Sequence, residues 1–222
     1  MNAGITRDDW AHMINGAAAA IRAEHARLSA LDCVAGDGDH GATMLRVVDS
    51  LTKTFAPGGP EDLRTCLRDA GWSVLGVDGG ASSSLMGTFF GGMADATECE
   101  APLSASQLAM VFEAGLVGVR KQTKARPGDK TMMDALVPAV EMLRASADAG
   151  KSAAEALRDA ADAGRKGAEA TRNFTAKYGR AKLLGEKTLG HEDPGAVSVS
   201  LMFAGFFSGL GESKGESGNA RS

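Results

Sequence analysis

The chain has 222 residues, of which 44% are apolar, 23% charged and only 5% aromatic. That length and apolar share suffice for one buried core and exclude a disordered or collagen-like chain, while abundant Ala with few aromatic and β-branched residues favours packed helices over a sheet. Twenty-four basic against 28 acidic side chains give a net charge of −4, which removes the electrostatic footprint of a nucleic-acid binder and leaves any anionic ligand to be held by local groups.

Apolar residues at Trp10, Met13, Ile14, Ala17, Ala18, Ile21 and Leu28 keep helical spacing, with Thr6 at the N-cap position and Asp9 three residues on. After a Gly/Asp loop, Met44, Val47, Val48, Leu51 and Phe55 mark a second stripe that Pro57-Gly58-Gly59-Pro60 ends. Leu63, Leu67, Ala70 and Val74 form a third, and beyond Gly76–Gly80 the residues Leu85, Met86, Phe89, Phe90 and Met93 form a regular fourth. Ser104 and Gln107 supply a capping box for a fifth helix carrying Leu108, Val111, Phe112 and Val119.

Arg126-Pro-Gly-Asp-Lys130 breaks the pattern. Thr131 with Asp134 then predicts the cap of a sixth helix with a core face of Met132, Met133, Leu136, Val137, Val140 and Leu143, kinked at Pro138. A seventh helix opens with the pair Ser152 and Glu155 and runs Ala-rich to about Phe174. After the polar stretch 179–195, Asp193-Pro194 offers an N-cap and first-turn proline for an eighth helix through Val197, Leu201 and Phe206. Residues 1–210 thus read as one domain, and the Gly/Ser/Glu-rich tail 211–222 as disordered.

Eight helices joined by mostly short connections imply an antiparallel up-and-down bundle. In that topology the connections 32–41, 76–82, 126–131 and 179–195 all fall at one end. They are the chemically unusual ones. The opposite connections 57–60, 98–103 and 147–151 hold ordinary turn residues. A composite site on one rim of an all-α bundle follows from topology alone.

Cys33, Cys66 and Cys99 form no CxxC pair, so neither a disulfide framework nor a zinc site is suggested and a reducing compartment fits; their even 33-residue spacing joins dissimilar neighbourhoods and is no repeat. The N-terminus lacks the features of a signal peptide, and no apolar run approaches the length of a membrane span. A cytoplasmic protein without nucleic-acid or membrane partners is expected.

On the rim, Asp32, Asp37 and Asp39 fall close in sequence, and Gly36, Gly38 and Gly41 let the backbone turn their carboxylates toward one point. Converging carboxylates repel unless a cation sits between them, and hard oxygen ligands suit Mg²⁺ with phosphate oxygens completing its shell; the alternative is a solvated acidic turn. Gly36-Asp-Gly-Asp-His-Gly41 matches the dinucleotide fingerprint only literally, since its carboxylates would repel a pyrophosphate. The EF-hand pattern fails as well, because Val48 stands where the bidentate Glu belongs.

Gly79, Gly80, Ala81 and Ser82 precede the fourth helix, where free N–H groups, the helix dipole and a hydroxyl suit a phosphate. Lys130 and Thr131 add a charge and a hydroxyl at the sixth helix start, but Thr123 in place of the first glycine excludes a Walker loop. Arg180 offers a planar fork to phosphate oxygens. His40 and His191 are hydrogen-bonding candidates without an assigned proton transfer, and His12 and His25 have no partner signal. Carboxylate-held metal, phosphate-cradling amides and scattered cations together describe phosphoryl transfer. No pocket or base for an acceptor hydroxyl is evident, which places the acceptor on another polypeptide.

The blocks Gly36–Gly41, Gly79–Ser82 with Gly87–Phe90, Pro127–Met132, and Gly179–Ala181 with Leu184–Glu186 and Gly190–Gly195 resemble the nucleotide-binding L subunit of dihydroxyacetone kinases, the DhaL or DAK2-type domain, over nearly the whole chain. The resemblance implies an eight-helix antiparallel barrel holding ADP or ATP on one rim. It also implies two Mg²⁺ carried by Asp32, Asp37 and Asp39, with His40, Thr43, Gly80, Ala81, Ser82, Lys130, Thr131, Met132, Arg180 and Asp193 around the nucleotide. The ketose would be held covalently by a histidine of a separate DhaK-like subunit.

Thr43 stands where the family pattern has Asn, Asp78 where it has an apolar residue, Ser83-Ser84 replace Gly-Pro, and Lys182-Leu183 replace Ser-Tyr. Family members either rephosphorylate bound ADP through the sugar phosphotransferase system or exchange ADP for ATP, so a phosphotransferase-system donor protein is one of two open routes, and a homodimer is left open too. The function expected is the phosphotransfer subunit of a dihydroxyacetone kinase. A tetrulose (erythrulose) kinase subunit and a non-catalytic nucleotide-sensing adaptor are the alternatives, the intact aspartates arguing against the adaptor.

Overall fold

The computed structural model describes residues 4–97 and 102–219, with side chains as far as 211; Cys99 lies outside them. Its helices are α1 (Arg7–Asp32), α2 (His40–Thr54), α3 (Leu63–Leu75), α4 (Gly80–Asp95), α5 (Ala105–Gln122), α6 (Met133–Asp148), α7 (Ala153–Ala170) and α8 (Pro194–Asn219), with 3₁₀ segments at Thr171–Asn173 and Arg180–Thr188. Each helix packs on its successor, and α8 closes the ring against α1. This is the all-α up-and-down array that the pattern predicts, closed into the barrel that the resemblance implies. Among the described residues the β-type pairing is limited to one antiparallel bridge, Ile5 with Leu103, which ties the chain start to the entry of α5 through two N–H···O bonds of 2.7 and 2.8 Å.

Local sequence explains the helix starts. Thr6 with Asp9, Ser104 with Gln107 and Ser152 with Glu155 all close full capping boxes, so side chains satisfy amides that would otherwise be orphaned. At α6 the expected cap shifts. Met132 holds the N-cap position without a side-chain bond, and Asp134 instead accepts from the Thr131 N–H at 2.7 Å and the Gly128 N–H at 2.5 Å, which fixes the preceding loop. Pro138 lies inside an unbroken α6. The carbonyl it cannot serve, that of Asp134, faces Gly167 on α7, where an added Cβ would lie 2.0 Å from the oxygen.

Helix α7 stops at Ala170 rather than near Phe174, because the Thr171 hydroxyl donates to the Ala168 carbonyl at 2.5 Å and the chain tightens to 3₁₀. The boundary expected at 210 falls inside α8, whose span runs to Asn219. The 18 residues Pro194–Gly211 are, contrary to expectation, long and apolar enough to cross a membrane, yet 56% of them are buried against α1 and α7, as befits a core helix.

Phe112 sits at the barrel centre, in ring contact with Trp10, Phe89, Phe203 and Phe206 at 5.5–5.9 Å. Small residues let the backbones around it touch. A Cβ on Gly205 would stand 2.3 Å from Ala17 Cα, and one on Gly16 2.2 Å from the Gly205 carbonyl oxygen. The Ala- and Gly-rich composition is thus a packing requirement of the α1–α8 seam.

Candidate functional site

The four connections expected on one rim do converge. They line a cleft of about 470 Å³, with Asp32, Asp37, Asp39, His40 and Thr43 from the first, Gly79–Ser82 from the second, Lys130–Met132 from the third, and Tyr178–Arg180 and Asp193–Gly195 from the fourth. Every sequence-predicted site residue therefore borders one space. They do not all point their polar atoms into it.

Asp32 is the last residue of α1, and its Oδ2 accepts from the backbone N–H of Gly38 at 3.0 Å and of His40 at 3.3 Å, which folds the intervening loop around it. A Cβ on Gly36 would lie 2.1 Å from Asp32 Oδ1, so the loop closes only with glycine there. Gly38 has φ +78, a left-handed turn that glycine adopts without strain. The result brings ligand oxygens of Asp32, Asp37 and Asp39 within 4.8 Å of one another. Asp39 occupies the α2 N-cap position yet makes no capping hydrogen bond, leaving its oxygens for something else.

Electrostatics bear out the crowding. Desolvation first, and the charge of Asp37 second, raise the Asp39 carboxyl above its ordinary range. Asp37 is held low because the Arg180 guanidinium donates to it. Arg180 is thus the cation facing the cluster, reached across the ring from the 179–195 connection.

His40 is buried at the start of α2. The Ser198 hydroxyl donates to the Pro194 carbonyl at 3.0 Å, so its oxygen accepts from His40 Nε2–H at 2.7 Å; Nδ1 is then the acceptor for the Ser82 hydroxyl at 3.3 Å. Burial lowers the His40 pKa despite the Asp32 charge, which keeps this relay neutral. Beside it, α4 begins at Gly80 (φ +60) with no side chain capping its first amides. Thr43 supports that turn. Its methyl fills the place a Gly79 Cβ would take, and Arg46 donates to its hydroxyl at 3.0 Å and to the Asp78 carbonyl at 2.8 Å.

On the opposite wall, the Thr131 hydroxyl accepts from the Met133 N–H at 3.2 Å, and Met132 is buried at the cleft edge. The Lys130 ammonium turns from the cleft to the Thr171 and His191 carbonyls. Asp193, half-buried at the cleft, caps α8 by accepting from the Ala196 N–H at 2.7 Å, and desolvation raises its pKa to about 7. His25 bonds the Arg22 carbonyl of its own helix, away from the cleft.

Sequence reasoning passed over Ser198, Arg46 and Glu192. Ser198 interrupts an apolar run at a core-facing position of α8, which was its one signal. Glu192, nearly fully buried, bonds Arg27 at 2.8 Å and Arg172 at 3.3 Å and anchors the chain just before Asp193; nothing in its spacing announced this.

The DAK2 domain family matches residues 34–208, a span that leaves out Asp32. The chain is 40% identical over 175 residues to the "PEP-dependent dihydroxyacetone kinase, ADP-binding subunit DhaL" of Escherichia coli (strain K12), covering 79% of this chain and 83% of that one. It is 38% identical over 196 residues to the corresponding subunit of kinase 1 of Listeria innocua, covering 88% and 93%. It is also 38% identical over 189 residues to the L-erythrulose 1-kinase of Mycolicibacterium smegmatis, covering 80% of this chain and 31% of that protein. Among solved structures, the dihydroxyacetone kinase of C. freundii in complex with AMP-PNP and Mg²⁺ superposes with a TM-score of 0.69 at 28% identity, over 89% of this chain and 33% of that one. The chain therefore spans about a third of the erythrulose kinase and of the C. freundii enzyme, and most of the DhaL subunits.

Proposed function

This chain belongs to the DAK2 domain family, and from that premise we propose that it is the nucleotide-binding phosphotransfer subunit of a dihydroxyacetone kinase, working with a separate ketose-binding DhaK-type subunit. The observation that carries the reading is the meeting of three aspartate carboxylates within 4.8 Å on a cleft whose other side is the uncapped start of α4. Three such carboxylates need cationic company, and hard oxygen donors fit Mg²⁺. Asp32, Asp37 and Asp39 would hold it, two ions being the number we favour. Magnesium there would neutralise charge on the transferred phosphoryl group.

The chain's own groups have separable tasks. The first amides of α4 and the Ser82 hydroxyl, oriented by His40 and Ser198, bind phosphate oxygens. With a metal on that carboxylate, Arg180 would be free to leave Asp37 and meet the phosphates. Leu85 and Met132 give the apolar wall that a base requires. The bacterial relatives named as ADP-binding subunits of PEP-dependent kinases support a route in which bound ADP is rephosphorylated in place rather than exchanged, which needs a phosphoryl donor protein.

Similarity to an L-erythrulose 1-kinase sustains a second reading, in which the ketose is a tetrulose. The chain should be mixed with a ketose-binding DhaK-type subunit, Mg²⁺ and either ATP or a phosphotransferase-system donor, with dihydroxyacetone or erythrulose as acceptor. Formation of dihydroxyacetone phosphate is expected; preferential erythrulose phosphorylation selects the second reading. Nucleotide binding without any sugar phosphate would overturn both.

A further inference from the structure

We propose that Lys130 is a positioning residue, whose ammonium pins the neck of the 171–191 connection instead of meeting bound phosphates. The inference rests on the nucleotide reading of the cleft. Lys130 stands where sequence logic expects a cation on the ligand, in a loop with a glycine two residues before it and a helix start just after. Its side chain does otherwise. Nζ donates to the Thr171 carbonyl at 2.6 Å and to the His191 carbonyl.

These two carbonyls lie at opposite ends of the same connection. The neck is closed further by the Gly190 N–H on the Arg172 carbonyl at 2.8 Å and the Asp193 N–H on Thr171 Oγ1 at 2.9 Å. One charged group therefore ties the 126–131 connection to both feet of the 171–191 connection, and the segment between those feet carries Tyr178 and Arg180 to the cleft. Closing a loop of this length is an entropic cost that such a cross-tie offsets.

The surroundings show the ammonium is built in. Lys130 is only 5% exposed, and Asp193, Asp134 and Glu192 balance its charge. It is the one described non-glycine residue with positive φ, at 60°, a strained conformation that persists only where neighbouring contacts over-determine it. Swinging Nζ onto a phosphate would strip the buried Thr171 carbonyl and the His191 carbonyl of a charged donor, and bonds of that kind are among the strong ones.

The test compares Lys130→Met and Lys130→Gly with the parent chain. Glycine suits φ 60, so that variant removes the ammonium without the backbone strain and guards against a folding failure of the methionine form. Hydrogen exchange is followed by mass spectrometry on nucleotide-free protein, and Mg·ADP and Mg·AMP binding by calorimetry. Peptides from 171–191 are expected to exchange faster in both variants, while the rest of the barrel keeps its protection. Affinity for ADP and for AMP should fall by the same factor, about tenfold, as when a group supporting a ligand residue is removed. In the kinase assay KM for nucleotide rises by that factor with kcat retained, whereas a general loss of fold would lower kcat alone.

Unchanged exchange in 171–191 overturns the proposal, as does a loss that grows from AMP to ADP, which marks a phosphate ligand. If the parent chain binds neither nucleotide, the functional reading fails by itself and the exchange comparison still decides the pin.

Discussion

Gly36→Ala puts one methyl group where the acidic loop has no room for it. An ideal Cβ at 36 lies 2.1 Å from Asp32 Oδ1, whereas ordinary contact begins near 3.4 Å, so the carboxylate must retreat by more than about 1 Å. Retreat breaks the bonds that Oδ2 accepts from Gly38 and His40, and it removes one of three oxygens that now lie within 4.8 Å of each other. The φ of residue 36 is not in the left-handed region, and helices α1 and α2 keep all their core contacts, so the fold survives. Losing the correct placement of one ligand costs on the order of 10- to 100-fold in metal affinity. Mn²⁺ titration followed by electron paramagnetic resonance reads the affinity, and calorimetry reads Mg·ADP. If Gly36→Ala keeps parental Mn²⁺ and Mg·ADP affinities, Asp32 is not part of the metal site and the reasoning fails.

Arg180→Gln removes the cation that faces Asp37 in the ligand-free cluster. The pair is exposed, so the melting temperature should stay close to that of the parent; Mn²⁺ alone should bind a few-fold more tightly and Mg·ADP more weakly, and a fall in both would refute the exchange of partners. Gly205→Ala forces a Cβ to 2.3 Å from Ala17 Cα, an overpacking cost of about 3 kcal/mol and a drop in Tm of roughly 6–12 °C by scanning calorimetry. Asp193, raised from 3.8 to about 7 in the fold, binds its proton more tightly folded than unfolded. Its stabilisation is complete below pH about 4 and lost as pH rises through about 7. Asp193→Asn, which can still accept from Ala196, should therefore gain Tm relative to the parent near pH 8 and lose that advantage near pH 5; equal Tm differences at both pH values would refute the assignment.

The sequence made the barrel legible because its signals are local and redundant. Thr6, Ser104 and Ser152 announce helices through caps that need only neighbours three residues on. Parity of an up-and-down ring then assigns each connection to an end. The Asp32–Asp37–Asp39 cluster was legible for the same reason, since one short loop makes it.

What stayed hidden depends on contacts between distant segments. Lys130 looks like a phosphate ligand until Thr171 and His191 are placed beside it. Ser198 looks like a fault in an apolar stripe until His40 reaches it from across the ring. Glu192 gains its meaning only from Arg27, on the far side of the α1–α8 seam.

The central claim is that the rim grips a nucleotide through divalent ions held by these aspartates. Crystals grown with ADP and Mn²⁺, with anomalous data collected at the manganese edge, test it most directly. The account predicts manganese peaks bonded to carboxylate oxygens of Asp32, Asp37 and Asp39 and to phosphate oxygens, with the diphosphate at the start of α4. Manganese absent from these aspartates, or ADP bound away from this rim, would contradict it.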